Sequence, residues 1–382
     1  MAGTPRILCI SMSQITGDAR VLRQIGVLAE FGDVTTIGFG EKPPGSTTHI
    51  QVPSGLKTLP QTLGGVANLA IRRLTASELA APAIRFALTA LDGQDFDLVV
   101  ANEARVLGLA DMVANGAPVW ADMHEWAPEE RTHILSWRML VAPLMRHLCA
   151  KYLPRAGGVT AVCGSIADLY NAAYGLDVKV MRNSGPRREL LPQPLDGDRI
   201  RLVHPGAAVH GRQIEIMIDV VTKLDERYTL DLYLVPGGDG GRYLESLKQR
   251  SANCDRITFH TPVAPTDIPD TLNAYDVGVF WIPPTHTNAR FALPNKFFDF
   301  VQAKIAIAVG PSLEMARLVD QYNLGAVSTG FTVDECFDSI SSLTNDDIMR
   351  AKNASEAASD DLSFETDAEV ARTLLSALLA RS

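Results

Sequence analysis

The chain has 382 residues, 46% hydrophobic and 21% charged, with a formal net charge of -9. The length suits two domains at roughly 150 residues each, and the composition is that of a globular protein. The acidic balance argues against nonspecific binding to nucleic acid, no run approaches the roughly 18 apolar residues of a membrane-spanning helix, and the odd, widely spaced cysteines suggest neither a disulfide framework nor a metal site. Arg6 leads into an apolar run too short and too quickly polar for a secretory leader, so the cytoplasm is the expected compartment.

From the N-terminus, short apolar runs alternate with stretches of helical spacing. Ile7 to Met12 reads as a strand, Asp18 to Phe31 as a helix with Val21, Leu22, Ile25, Leu28 and Ala29 on one face, and Val34 to Phe39 as a second strand. Strand-like runs follow at Leu98 to Ala101, Val119 to Ala121, Val159 to Cys163 and Val178 to Met181. Between Arg131 and Arg155 the pattern changes, with five Lys or Arg and no acid interleaved with Trp137, Met139, Leu140, Leu144 and Tyr152. Such a segment fits an anionic bilayer surface or an anionic acceptor, and equally a Pro143-kinked helix with one buried face. Chain breakers crowd 182–198, where the linker is expected.

The rhythm then restarts with Ile200 to His204, Leu230 to Val235, Ile257 to His260, Val277 to Trp281 and Ile305 to Val309, each followed by a helical pattern. Thr366 to Leu379 is helical and is expected to pack back on the first domain. The repeated βαβ units predict an α/β protein of two Rossmann-like, doubly wound domains facing a central cleft, with ligands at the carboxyl ends of parallel strands. The domain bounds read as 1–190 with 365–382, and 198–364.

One helix start stands out, in Ala292-Leu-Pro-Asn-Lys-Phe-Phe-Asp299. Pro294 suits a first helical position, the unpaired N–H groups there carry partial positive charge, and Lys296 adds a full one, so a bound phosphate is expected beside it. Asp299 lies about one turn deeper, placed to accept hydrogen bonds from the hydroxyls of whatever carries the phosphate. A proline-capped helix with a surface lysine is the plainer reading of the same residues.

Four stretches occur in order: Asp18-Ala-Arg-Val-Leu-Arg-Gln-Ile-Gly-Val-Leu-Ala-Glu-Phe-Gly32, Trp120-Ala-Asp-Met-His-Glu-Trp126, Gly158-Val-Thr-Ala-Val-Cys-Gly-Ser-Ile-Ala-Asp168 and Leu293-Pro-Asn-Lys-Phe-Phe-Asp-Phe300. Together they resemble the retaining, nucleotide-sugar-dependent glycosyltransferases of the large family four, which have the two-domain GT-B fold. The resemblance covers most of the chain and is more specific for superfamily than for substrate. It implies an enzyme that moves a sugar from a nucleoside diphosphate sugar to a hydroxyl of a glycan, lipid-linked or small-molecule acceptor, with retention, without metal and without a resident cofactor. The C-terminal domain would hold the donor and the N-terminal domain the acceptor; the basic segment 131–155, read from its own residues, is a candidate for either peripheral membrane contact or contact with the acceptor.

Position by position, the resemblance implies donor contacts at Gly206, Arg212, His260, Val263, Pro294, Asn295, Lys296 and Asp299. Asp299 matches the second of the family's two donor-site glutamates, and the first falls on Phe291. The family also has a glycine followed by an arginine and a lysine that neutralise the diphosphate. Here Gly206 opens Gly-Ala-Ala-Val-His-Gly-Arg212, the arginine position is Ala207, and Arg212 is the nearest candidate for the second cation, with Lys296 compensating. The loop Thr261 to Val263, after His260, resembles the place where the nucleobase edge meets backbone groups.

In the N-terminal domain His124 stands where family members have a histidine that touches the donor sugar, and Asp122 and Glu125 flank it as the other candidate catalytic groups. Gly17 matches a small-residue loop on the acceptor side. Asp18 and Arg20 either join it there or cap the following helix and pair with each other. With no DxD-type metal pair in view, the leaving group's charge is expected to be met by the helix terminus, Lys296 and Arg212. Two other readings share the fold: an isomerase resembling nucleotide-sugar 2-epimerases, and a noncatalytic GT-B binding protein, the latter encouraged by Phe291 and Ala207.

Overall fold

The computed structural model describes residues 3–380. Their strands form two sheets in which every ladder is parallel. The first contains β1 (Arg6–Gln14), β2 (Asp33–Phe39), β3 (Thr48–Gln51), β4 (Leu98–Asn102), β5 (Val119–Met123), β6 (Gly158–Ala161) and β7 (Lys179–Val180), in the order β3-β2-β1-β4-β5-β6-β7. The second contains β8 (Ile200–Ala208), β9 (Tyr228–Pro236), β10 (Ile257–His260), β11 (Val277–Phe280), β12 (Ala306–Val309) and β13 (Gly325–Val327), in the order β10-β9-β8-β11-β12-β13. Each strand order reverses beside the first strand of its sheet, which is where doubly wound sheets open a crevice for ligands.

The chain divides into two compact units. One is Met1–Arg182 with His286–Asn288 and Asp367–Ser382, and the other is Asn183–Thr285 with Ala289–Thr366. In the first, β4 is buried at every position, and the Ala19–Ala29 helix turns Val21, Gln24, Ile25 and Leu28 inward. Asp18 caps that helix, its carboxylate accepting from the Val21 N–H at 3.2 Å. The Phe364–Leu379 helix sits where side chains would be on Gly157 and Gly158, since Cβ atoms built there would meet Leu378 and Leu374 at 2.7 and 2.4 Å.

In the second unit β11 and β12 are buried throughout, as parallel strands covered on both faces must be. Gly278 makes room for Phe300, whose Cδ1 lies 2.4 Å from where a Cβ would stand. Lys352, fully buried on the Asn345–Ala358 helix, pairs with equally buried Asp276 at 3.0 Å and donates to the Tyr275 carbonyl at 3.0 Å. Asp276 also takes two hydrogen bonds from the Arg201 guanidinium, so this buried charge is matched on both sides.

Three local features add to the sequence reading. The edge strands β3 and β13, Thr48–Gln51 and Gly325–Val327, have no fully buried residue and were not expected. Pro143 lies inside a continuous helical run, just after a π-helical turn, Trp137–Val141, that leads into the Ala142–Tyr152 helix. The basic surplus of 131–155 is partly cancelled from outside the segment, because buried Glu78 binds His147 at 2.5 Å and Lys151 at 2.8 Å, and Asp111 binds Arg155 at 3.0 Å.

Candidate active site

In the second unit the geometry begins with a parting of strands. β8 pairs with β9 from Ile200 to Ala208 but with β11 only at Leu202 and Val203, so its last residues run free of β11. His204, wholly buried, spans the gap by donating from Nδ1 to the Val279 carbonyl at 2.8 Å. That bond fixes the proton on Nδ1 and leaves Nε2 as a buried lone pair with no partner. Burial, then the charges of Lys296 and Arg212, hold the pKa of His204 well below its ordinary value.

Lys296 approaches the same point from the first turn of the Asn295–Gln302 helix. Its Nζ is shut off from solvent, meets no hydrogen-bond acceptor, and lies 5.1 Å from the centre of the Phe280 ring. Burial, then Arg212, push its pKa down to about 7 against the opposing charge of Asp299. Arg212, in the short 3-10 turn His210–Arg212, donates to the Ala207 carbonyl at 3.4 Å, and burial lowers its pKa too.

The three nitrogens converge on Gly206. A Cβ built there would lie 2.6 Å from Lys296 Nζ, 3.2 Å from His204 Nε2 and 3.6 Å from Arg212 Nη1. Two of the three are orphaned buried polar atoms: an anion completes the Lys296 ammonium, whereas the Nε2 lone pair of His204 calls for a donor. Of the expected donor residues, the structure therefore gathers Gly206, Arg212 and Lys296 at one point. His204 was missed, although it is the polar residue that closes the strand-like run Ile200 to Val203 within β8.

The other expected donor positions are placed as follows. Pro294 is the residue before the helix, with φ -77 and ψ 156, so the first helical residue is the exposed Asn295 rather than the proline. Asp299 follows in the same helix, with Oδ1 3.9 Å from where a Cβ on Gly185 would stand. The His260 ring is committed elsewhere, bonded through Nε2 to Asp231 and stacked on Tyr233 at 4.6 Å. Val263 lies in the loop beyond β10, with exposed Thr261 and Pro262 before it.

In the first unit His124 directly follows β5. Its Nε2 is 3.2 Å from Asn102 Oδ1 and 3.3 Å from Asp122 Oδ2, and its Nδ1 is 3.8 Å from Glu103 Oε1. Burial opposes charge on this ring, but the hydrogen bond and charge of Asp122 outweigh it and raise the pKa. Asn102 is oriented by its own amide, which donates to Gln24 at 3.0 Å and to the Ile10 carbonyl at 3.2 Å. Glu103 has φ 70 and ψ 162, a backbone state rare outside glycine and typical of strain at functional sites.

Asp122 stands behind His124 with no solvent exposure, and its carboxylate is saturated. Arg20 grips it through Nη2 at 2.6 Å and Nε at 2.8 Å, Thr160 donates at 2.6 Å, and Gln24 donates at 3.2 Å. Burial alone would raise its pKa; Arg20 and His124 reverse that and hold it well below the carboxylate range. Asp122 thus positions His124 and cannot itself touch a ligand. Arg20 pairs with Asp122 and not with Asp18, because the helix turns it inward, where it also donates to the Met181 carbonyl at 2.7 Å. Gly17 is exposed, and a Cβ there would meet nothing within 4 Å.

Glu125 accepts from the Asn288 amide at 3.1 Å, within the same unit. Desolvation of its carboxyl, then the charges of Glu130 and Glu103, push its pKa upward. Glu103 and Glu130, with Arg105 bonded to Glu130 at 3.1 Å, complete an acidic group around His124 that the sequence reading did not name. Its signal was Asn102-Glu103, polar residues closing the apolar run Leu98 to Ala101. Among the described residues no group of three or more His, Cys, Asp and Glu is arranged to hold a metal ion, and no helix is long and apolar enough to cross a membrane.

No family model matches the chain, and no curated protein does. Among solved structures, it is similar over 97% of its length to the whole of Anabaena HepE in complex with UDP and glucose, with a TM-score of 0.68 and 18% identity. Sucrose-phosphate synthase from Thermosynechococcus elongatus aligns with 99% of this chain and 100% of its own, at a TM-score of 0.72 and 14% identity. A glycosyltransferase from Rickettsia africae aligns over 100% of both chains, at a TM-score of 0.70 and 12% identity. The chain has the GT-B fold.

Proposed function

We propose that this GT-B chain is a glycosyltransferase that moves a sugar from a nucleoside diphosphate sugar to an acceptor hydroxyl. The observation that carries the reading is the convergence of Lys296, His204 and Arg212 on the bare face of Gly206. A diphosphate satisfies Lys296 and Arg212, and the amino end of the Asn295–Gln302 helix adds its partial positive charge. In this reading Asn295 presents a helix-start N–H, Asp299 accepts from ribose hydroxyls, and the backbone of Thr261 to Val263 meets the base. The bound UDP and glucose of HepE, a protein of the same fold, support a uridine donor.

Transfer breaks the bond between the anomeric carbon and the β-phosphate oxygen, and its electron pair leaves with the diphosphate. Lys296, Arg212 and the helix terminus stabilise that growing charge, each preorganised donor contributing about 2.7–4 kcal/mol by analogy with oxyanion holes. For retention, the acceptor oxygen bonds to the anomeric carbon on the face the diphosphate leaves, and its proton passes to the departing phosphate oxygen. Neither a protein base nor a metal ion takes part in this scheme. His124, with Nε2 committed to Asn102 and Asp122, has Nδ1 left to contact the sugar. Gly17 and the start of the Ala19–Ala29 helix stand on the acceptor side.

A noncatalytic nucleotide-binding protein is the second reading, favoured by Phe291 and Ala207 standing where the resembling enzymes carry charge. Calorimetry with UDP, GDP and dTDP tests both, followed by mass spectrometry for free sugar released from the matching nucleotide sugar. We expect one nucleotide to bind and its sugar to be released slowly by water. Failure of all three to bind overturns both readings, and binding without release across a sugar panel leaves the second.

A further inference from the structure

The first unit holds a second cavity, of about 590 Å³, that the transfer scheme does not use. It lies between the Leu63–Ala70 helix and the Trp137–Val141 turn, with Leu59, Val66, Leu69 and Leu140 among its walls. Its charged lining is entirely cationic: Lys57, Arg105 and Arg131. Glu130 draws the two arginines together, at 3.1 Å from Arg105 and 3.6 Å from Arg131, Glu103 pairs with Arg105 at 3.3 Å, and the Arg131 guanidinium lies 5.3 Å from the centre of the Trp137 ring. Lys57 pairs with no carboxylate among the described residues. The indole N–H of Trp137, a residue 9% exposed that also lines the cavity, meets no acceptor.

Two further observations say what such a space takes. Arg105 lines both this cavity and the small one formed by Glu103, His124, Glu125 and Glu130, so the two are neighbours with a shared wall. The elements that frame it also carry bare apolar side chains outward: Leu63 is 96% exposed, Ile71 65%, Leu135 59% and Met139 55%. Arg72 ties these elements together by donating to the Met139 carbonyl at 2.7 Å. In a chain of net charge -9, an apolar rim around a lining with unpaired Lys57, loosely paired Arg131 and no carboxylate of its own is complementary to a negatively charged group carried on a hydrocarbon chain.

We infer that this cavity binds an anionic amphiphile, a phosphate-bearing head on an apolar chain, with the head at Arg131 and Lys57 and the chain along Val66, Leu69 and Leu140. Its role as the carrier of the acceptor rests on the proposed transfer reaction. The Arg105 wall then places the head beside the His124 cavity, while the exposed rim faces the bilayer that supplies the chain. His147, Lys151 and Arg155 are held by acids at 2.5–3.0 Å, against 3.6 Å for Arg131 and no acid among the described residues for Lys57, which puts the binding surface at Arg131 to Val141 and the Leu63–Ala70 helix, not along the whole basic segment.

The probe is dodecyl phosphate below its micelle concentration, titrated by calorimetry and tryptophan fluorescence against dodecyl maltoside and inorganic phosphate. Saturable binding of dodecyl phosphate, about tenfold or more tighter than either comparator, is the expected result. The double substitution Lys57→Glu/Arg131→Glu, and separately the cavity-filling Val66→Trp, should each weaken it by about tenfold. Val66 is 40% exposed, so its replacement leaves the core intact, and Arg131→Ala replaces the charge reversal if that lowers the melting temperature. Equal affinity for the charged and neutral amphiphiles, or variants that bind as well as the parent, overturns the inference. UDP is titrated in parallel: loss of UDP binding alone removes the transferase reading, whereas failure of dodecyl phosphate alone removes only the amphiphile site.

Discussion

Lys296 Nζ stands where a side chain on Gly206 would begin, 2.6 Å from a Cβ built at that position. Gly206 has no left-handed backbone torsion to explain its being glycine. What it supplies is space, at the point where His204 and Arg212 also arrive. Gly206→Ala is therefore expected to displace the lysine and occupy the anion's place. Nucleoside diphosphate affinity should fall by about tenfold or more, with stability changed by less than about 1.5 kcal/mol. Calorimetry and a urea melt read the two effects, and an unaltered affinity would show that no phosphate approaches this glycine.

An unpartnered buried ammonium destabilises the protein that holds it. Lys296→Met should raise the stability of the ligand-free protein by about 1–3 kcal/mol while removing most nucleotide affinity. The sign follows from proton counting: the unfolded lysine keeps its proton up to about 10.5 and the folded one only to about 7. Between those values the unfolded chain binds more protons, so ligand-free stability rises with pH across that window and Lys296→Met flattens the rise. A bound diphosphate restores the lysine's proton, so affinity should be greatest below about pH 7 and decline as pH rises above it. Titrations at several pH values, in buffers of different ionisation enthalpy, measure the proton uptake; pH-independent binding without uptake contradicts the assignment.

Lys352 is the opposite case, a buried lysine whose charge is met. Lys352→Ala leaves Asp276 with Arg201 but removes the ammonium that joins the Asn345–Ala358 helix to the Tyr275 carbonyl. A loss of about 3 kcal/mol in a denaturant melt is expected, with unchanged nucleotide affinity in whatever fraction stays folded. A variant as stable as the parent would mean that the pair merely offsets its own desolvation.

For His124, position and chemistry separate cleanly. His124→Ala should lower kcat by about a hundredfold while leaving the Kd for the nucleoside diphosphate within about twofold, because Lys296 and Arg212, the proposed diphosphate contacts, belong to the other unit. Asp122→Asn should act differently, lowering the melting temperature as well, since it leaves Arg20 buried at 6% exposure without its carboxylate. Equal turnover of His124→Ala and the parent would remove the histidine from the reaction.

The doubly wound sheets were legible because their inner strands are short and dry. β4, β11 and β12 are buried throughout, so each appears in the sequence as an apolar run, ended in β4 by Asn102. The edge strands β3 and β13 are only partly covered and were not expected. The helix start at Asn295 was legible to within one residue, since a proline, a loop and an amphipathic turn are all local signals. Pairing with its neighbour Asp18 was one of the two readings of Arg20, because nearness in sequence is all that a chain of letters offers, yet β1 and β5 flank β4 and bring Asp122 to it.

By itself, then, the order of residues determined the α/β alternation, the repeat of that alternation, and the chemical types standing at strand ends. Those depend on periodicity and on contacts between near neighbours, which a linear pattern carries. Only the folded chain decided that Lys296, His204 and Arg212 meet over Gly206 and that Asp122 lies behind His124. Such meetings depend on how far β8 parts from β11 and on which face of a helix turns inward, distances set by packing among residues remote in sequence.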